Sequence, residues 1–301
     1  MSTGSFSFRE LREASKVSLP NPEELTASDG IKLSYRRYAP ASPNAAILFY
    51  HGGGAHNGAG YQYFGSGLQI QFDTIVFMPD IRGHGASGGP RGDTPHPKQV
   101  WADISTFLKY IRAEFPQLPL FLGGHSSGAG LILNYTSQSG HEPVDGYIFL
   151  SPEFGYRSNT ARPSLSTPFA RAIIPAFVVH AMSAGLLCGH YHAVRFNYPS
   201  EVLSSDKGMG ASCTINMSKA VTPNSPRRQF AALDRAFGLW IGEDDELLSP
   251  GRVLAFAGQA ASVRANSQAS SIPNVNHLSI FIKAHETVGP WIAHVMNKKN
   301  S

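Results

Sequence analysis

Short, unbroken apolar runs recur along this chain and constrain it more than any other feature. They are Ala45–Tyr50, Thr74–Met78, Leu118–Leu122, Tyr147–Leu150 and Phe237–Ile241. Runs of this length without polar alternation read as strands buried on both faces. A strand of that kind needs a packed layer above and below it. Between the second and third runs, Val100, Ile104, Phe107, Leu108, Ile111 and Phe115 recur at helical spacing, with Asp103, Lys109 and Arg112 off that stripe. The spacing predicts an amphipathic crossover helix. Strands alternating with such helices predict an α/β fold, a mainly parallel central sheet flanked by helices. The composition can fill that core, since 42% of the 301 residues are hydrophobic and only 15% charged.

After Leu150 the alternation stops, and it resumes at Phe237, with a further strand expected at 267–272 and a closing helix from about Leu278. The expected organisation is a core over 1–152, an inserted helical cap over 153–230 and the rest of the core over 231–301. The first 25 residues receive no assignment, and no internal repeat is found. Ala172–Cys188 carries no formal charge besides a titratable His180 and is near the shortest length that spans a bilayer. Pro175, His180 and Gly185 interrupt it, so a buried or lid helix pair is expected and no transmembrane segment.

The 25 basic and 21 acidic residues are spread along the chain without a basic stripe, so no nucleic-acid partner is expected. Two cysteines, Cys188 and Cys213, cannot make a disulfide framework. They read as reduced thiols, with one bridge between them open. The N-terminus lacks the apolar run of a signal peptide, and a cytoplasmic location is expected. Oligomeric state is not legible.

A serine hydroxyl becomes a nucleophile when a tight turn presents it to a neighbouring base. Gly-X-Ser-X-Gly answers that need where a strand turns sharply into a helix, and it occurs twice. Gly85-Ala-Ser-Gly-Gly89 runs into Pro90-Arg-Gly-Asp-Thr-Pro95 and so reads as a loop. Gly124-His-Ser-Ser-Gly128 follows an apolar run and precedes Ala129–Tyr135, a plausible buried helix. Ser126 is therefore the expected nucleophile and Ser87 a decoy.

His51-Gly-Gly-Gly54 follows the run ending at Tyr50 and can bring backbone N–H groups close to a substrate. The expected oxyanion donors are the N–H groups of Gly53 and Ser127. An acid and a histidine should follow on loops after late strands. Gly242-Glu-Asp-Asp-Glu246 offers Asp244 and Asp245, with Glu153 as an outside candidate. Among twelve histidines only His277 lies between the last expected strand and the final helix. His125 reads as the variable residue of the elbow. Cys188-Gly-His190-Tyr-His192 lacks a second ligand pair at a recognised spacing, so neither metal nor cofactor is expected. In the cap, Phe177 and Met182 are the expected substrate-binding residues.

Asp29-Gly-Ile-Lys-Leu33, His51-Gly-Gly-Gly-Ala-His56, Asp80-Ile-Arg-Gly-His-Gly-Ala-Ser87, Gly124-His-Ser-Ser-Gly128, Gly242-Glu-Asp-Asp245 and Asn276-His277 stand in an order that resembles one family. It is the monoglyceride lipase and lysophospholipase-like branch of the α/β-hydrolases, also grouped under serine aminopeptidase-type hydrolases. The likeness runs from about residue 26 to 298. It implies the α/β-hydrolase fold, Asp245 rather than Asp244 as the acid, and a serine hydrolase cleaving a small-molecule ester of monoacylglycerol or lysophospholipid type. Ala55 stands where relatives often carry Glu, and Ser127 where many carry Met, so the substrate does not transfer. A short-chain esterase, an amidase or thioesterase, or an acyltransferase would use the same triad. A non-enzymatic receptor fits less well, because all three triad residue types are present. An apolar cap also suggests transient contact with a lipid surface.

Overall fold

The computed structural model describes residues 8–163 and 168–299. Among the described residues eleven strands form: β1 Pro22–Thr26, β2 Lys32–Tyr38, β3 Ala45–Tyr50, β4 Thr74–Pro79, β5 Leu120–His125, β6 Gly146–Leu150, β7 Ala170–Ala172, β8 Val194–Phe196, β9 Ser212–Cys213, β10 Phe237–Gly242 and β11 Gln268–Ile272. Eight of them make one sheet in the order β1-β2-β4-β3-β5-β6-β10-β11. From β4 to β11 neighbouring strands are parallel, and β2 is antiparallel to both β1 and β4.

Both faces are covered, as the unbroken apolar runs require. Along β3, Ala46, Leu48 and Tyr50 enter one hydrophobic cluster with Val100, Ile104 and Phe107 of helix Pro97–Glu114 and Leu131 of helix Ser127–Thr136. Ala45, Ile47 and Phe49 enter the other cluster, with Phe64 and Leu68 of helix Gln62–Phe72 and with Trp291 of the C-terminal helix His285–Lys299. The period of two along a strand thus divides one apolar run between two layers.

β5 begins two residues later than the apolar run suggested and continues through Gly123, Gly124 and His125. The Pro119 carbonyl still accepts the Ala46 N–H, but hydrophobicity cannot reveal a strand that ends in glycines. The stretch expected as a buried or lid helix pair holds one helix, Ile174–Met182, followed by turns with positive φ at Ala184, Gly185 and Cys188. Strands β7, β8 and β9 form a small antiparallel sheet beside it. The end of the 153–230 segment belongs to the core instead. Met217 and Ala220 of helix Ile215–Val221, and Phe230 of helix Pro226–Ala231, are buried in the main cluster. Both cysteines are free thiols, and burial pushes the Cys213 thiol up to about 12. Among the described residues no helix is long and apolar enough to cross a membrane.

Candidate active site

The turn from β5 into helix Ser127–Thr136 carries Ser126 at φ 54°, ψ −125°, a conformation costly for a residue with a Cβ. The flanking structure holds it there. Ser126 N–H donates to the Leu150 carbonyl (3.0 Å), and the Ser126 carbonyl accepts from Glu153 N–H (3.0 Å) and Ala129 N–H (3.0 Å). The two glycines of the motif have a steric cause. A Cβ on Gly124 would overlap the Gly128 backbone, and a Cβ on Gly128 would overlap the Tyr50 and His51 carbonyls. Ser87, the decoy, is buried in a structural role: its hydroxyl donates to the Asp80 carbonyl (2.7 Å) and accepts from Ser34 N–H (2.8 Å).

His277 and Ser126 line one narrow cavity of about 20 Å³, together with Gly52, Gly53, Tyr61, Phe8, Phe169, Tyr198 and Met209. His277 Nδ1 donates to Asp245 Oδ2 at 2.8 Å, and both side chains are buried. The other oxygen of Asp245 accepts from the N–H groups of Leu247 (3.0 Å) and Leu248 (2.8 Å). Asp244 is exposed, and Glu153 turns its carboxylate to Gly155 N–H (2.6 Å), so neither occupies the place of Asp245. Burial alone would pull the His277 pKa down. The Asp245 charge and hydrogen bond, helped by Glu246 and Glu153, outweigh it and leave the imidazole above its ordinary value. Burial likewise raises the Glu153 carboxyl.

The backbone of His277 is fixed on both sides. Its N–H donates to Glu246 Oε2 (3.0 Å), and its carbonyl accepts from His125 Nε2 (2.9 Å). His125 is therefore more than the variable residue of the elbow. Its Nδ1 accepts from the Tyr61 hydroxyl (3.0 Å), and the Tyr61 oxygen accepts from Gly52 N–H (2.7 Å). Burial, then the neighbouring His277, hold the His125 pKa well below the ordinary value, so the ring is neutral and can accept at one nitrogen while donating at the other. One chain of three hydrogen bonds thus joins the loop after β3 to the loop of His277. The pairing of Tyr61 with His125 is not visible in the sequence, because nothing in local spacing shows that two residues 64 positions apart meet.

The same chain distinguishes the glycines of the loop after β3. Gly52 N–H is committed to Tyr61, while among the described residues Gly53 N–H and Ser127 N–H have no protein acceptor. The two residues are neighbours in space: a Cβ on Gly53 would stand 3.1 Å from Ser127 Oγ. The inserted unit grips this loop. Tyr198 O–H donates to the Gly53 carbonyl (2.8 Å), and Gly210 N–H donates to the Gly54 carbonyl (2.7 Å).

The expected substrate residues of the cap are not in this cavity. Phe177 packs beside a small cluster of Ala176, Ala193 and Ile215, separate from the main core, and Met182 is 84% exposed. Helical spacing marks an apolar face but does not say whether it turns to the site or to solvent. The cavity is instead walled by Phe169, Tyr198 and Met209 of the insertion and by Phe8 of the N-terminal segment. Among the described residues no cluster of His, Cys, Asp or Glu is arranged to hold a metal ion.

Comparison with known proteins bears on the fold and the family. The profile of the family described as serine aminopeptidase, S33, matches residues 41–281. Human monoglyceride lipase is 33% identical over 130 residues, 42% of each chain, and the mouse enzyme 25% over 242 residues, 78% of this chain and 77% of that enzyme. The matched stretches thus span under half the length of the human enzyme, and 46% of the rat one. A soluble variant of the Saccharomyces cerevisiae monoglyceride lipase, solved with a substrate analog, superimposes with a TM-score of 0.72 at 18% identity, covering 93% of this chain and 97% of that one. That superposition speaks for the fold, and the profile, which takes in the β5 elbow, the loop after β10 and His277, speaks for descent: the chain belongs to the serine aminopeptidase, S33, family of α/β-hydrolases.

Proposed function

We propose that this protein is a serine hydrolase that cleaves carboxylic esters through an acyl-enzyme on Ser126. The observation that carries the reading is the placement of a strained Ser126 and an Asp245-bound His277 on one cavity. His277 Nε2 takes the Ser126 proton as Oγ attacks the ester carbonyl, and returns it to the leaving alcohol when the tetrahedral intermediate collapses. A water then attacks the acyl-enzyme with the same base and releases the carboxylic acid. Asp245 fixes the tautomer with the proton on Nδ1 and supports the imidazolium. Gly53 N–H and Ser127 N–H receive the oxyanion, a placement in which one donor is typically worth ~10²–10³ in rate.

The walls Phe8, Phe169, Met209 and Leu278 favour an apolar acyl group, as in a lipid-like ester. The small volume of the cavity favours the second reading, a short-chain esterase. A series of p-nitrophenyl esters from acetate to octanoate, run beside monoacylglycerols and lysophospholipids, separates the two. The lipid-like reading expects kcat/KM to climb with chain length, by up to ~200-fold for four buried methylenes at about 0.8 kcal/mol each. A preference for acetate at equal solubility would leave the short-chain reading standing. Failure of a fluorophosphonate probe to label Ser126 would remove both.

The helix and turns that do not line the cavity form an apolar outer face. Ile174, Val178, Met182, Leu186 and Leu187 are all exposed there, in a stretch without Lys, Arg, Asp or Glu. Contact of this face with a lipid surface accounts for it better than solvent exposure does. Met182→Asp combined with Leu186→Asp is expected to abolish cosedimentation with phosphatidylcholine vesicles while leaving p-nitrophenyl acetate hydrolysis intact. Equal cosedimentation of variant and wild type would refute the contact. The two free thiols fit a reducing, cytoplasmic compartment.

A further inference from the structure

Phe8 stands at the start of helix Arg9–Glu13, ahead of the segment that the family profile matches. It nevertheless lines the cavity that holds Ser126 and His277, its ring centroid 6.2 Å from that of Tyr198. It also lines a second and larger cavity of about 200 Å³. Phe8, Ala59 and Met209 are the walls common to both spaces. The segment behind Phe8 is tied down at separate points. Glu10 Oε2 accepts from Asn276 Nδ2 (2.9 Å), next to His277 in the chain, and the Leu11 carbonyl accepts from the Tyr63 hydroxyl (3.2 Å). Leu11 itself packs over Gly60.

We propose that Phe8 is the specificity-determining gate of a single ester channel, which its ring divides into the catalytic cavity and the larger space beyond. The inference rests on the ester-hydrolase reading and adds to it a source of substrate selection outside the shared family segment. With the ring in place, the cavity at Ser126 accepts a short arm of the ester. With the ring displaced, a longer apolar arm runs past Ala59 and Met209 into the second cavity and buries its methylenes there. Three contacts make the displacement selective rather than free: Tyr198 against the ring, Asn276 on Glu10 and Tyr63 on the Leu11 carbonyl.

The test is the ratio of kcat/KM for p-nitrophenyl octanoate to that for p-nitrophenyl acetate, two esters with a common leaving group. Phe8→Ala should raise the ratio at least ~10-fold by joining the cavities, given about 0.8 kcal/mol for each methylene newly buried. Phe8→Trp should lower it, and Glu10→Ala, which frees the anchor without touching the cavity wall, should raise it by about threefold. Labelling of Ser126 by ethyl and octyl fluorophosphonates should follow the same order. Thermal melting of each variant guards against a folding effect, with Phe8→Leu replacing Phe8→Ala if the latter melts early. Ratios within twofold of wild type in the Ala and Trp variants, at unchanged melting temperature, would overturn the gate while leaving the hydrolase intact. Absence of labelling in the wild type would overturn the hydrolase reading and the gate with it.

Discussion

Ser126→Ala and His277→Ala are each expected to reduce kcat by about 10⁶, with KM nearly unchanged, because loss of either the nucleophile or the base removes the covalent route as a whole. The double variant should be no worse than either single one, since the two side chains act as a unit. Ser126 lies in a backbone conformation enforced by Leu150, Glu153 and Ala129 rather than by its own hydroxyl, so alanine should leave the fold in place. His277 is likewise held through its backbone by Glu246 and His125. The informative contrast is Ser87→Ala. Its hydroxyl bridges Ser34 N–H and the Asp80 carbonyl, so its loss leaves a buried N–H unpaired and should cost about 1–3 kcal/mol of stability while probe labelling persists. Retained labelling in Ser126→Ala, with labelling lost in Ser87→Ala, would move the nucleophile to the other motif.

Asp245→Asn is expected to lower kcat by roughly 10⁴. The amide keeps the shape of the side chain, but it can present an N–H to His277 Nδ1, which then carries no proton and leaves Nε2 protonated and unable to accept from Ser126. The pH profile provides a second signature. On the proposed mechanism His277 must be neutral to act as base, so kcat/KM is expected to fall as pH drops through its pKa. That pKa is raised because the Asp245 charge and hydrogen bond outweigh burial. Without that charge the residual activity should keep its plateau to lower pH. Asp244→Asn removes an exposed side chain whose backbone N–H, bonded to the Val275 carbonyl (3.1 Å), remains, and should change kcat less than twofold. The reverse ranking would shift the acid by one residue, and equal mild effects would redirect attention to Glu153.

The sheet was legible because burial on both faces removes polar residues from β3, β4, β6 and β10, and an unbroken apolar run is hard to satisfy otherwise. The elbow was legible because its glycines answer to backbone contacts that no other residue tolerates. The order serine, acid, histidine was expected from loop positions after strands, and Asp245 rather than Asp244 from the family resemblance. The walls of the cavity were not legible. Phe8 precedes a helix of only five residues, too short to show a period. Tyr198 and Met209 lie in loops of the insertion, where side-chain direction follows from tertiary contacts alone. Met182 failed for a related reason, since an apolar helix face reads the same whether protein or some other surface covers it.

The cavity at Ser126, at about 20 Å³, is tight for anything but a small acyl group. On the ester-hydrolase reading, only the smallest acyl group enters the cavity as it stands, and longer substrates draw on a wider conformation in equilibrium with it. If the receptive conformation makes up a fraction f of the unliganded protein, the apparent dissociation constant exceeds the intrinsic one by 1/f, so a population of about 1% weakens binding by about 100-fold. Substitutions remote from Ser126 and His277 that shift this population change KM for the longer substrates in proportion and leave saturated turnover alone. Selection for activity at low substrate concentration should therefore accumulate changes at the contacts between the loop after β3 and the insertion, such as Tyr198 on Gly53 and Gly210 on Gly54, before it touches the reacting groups.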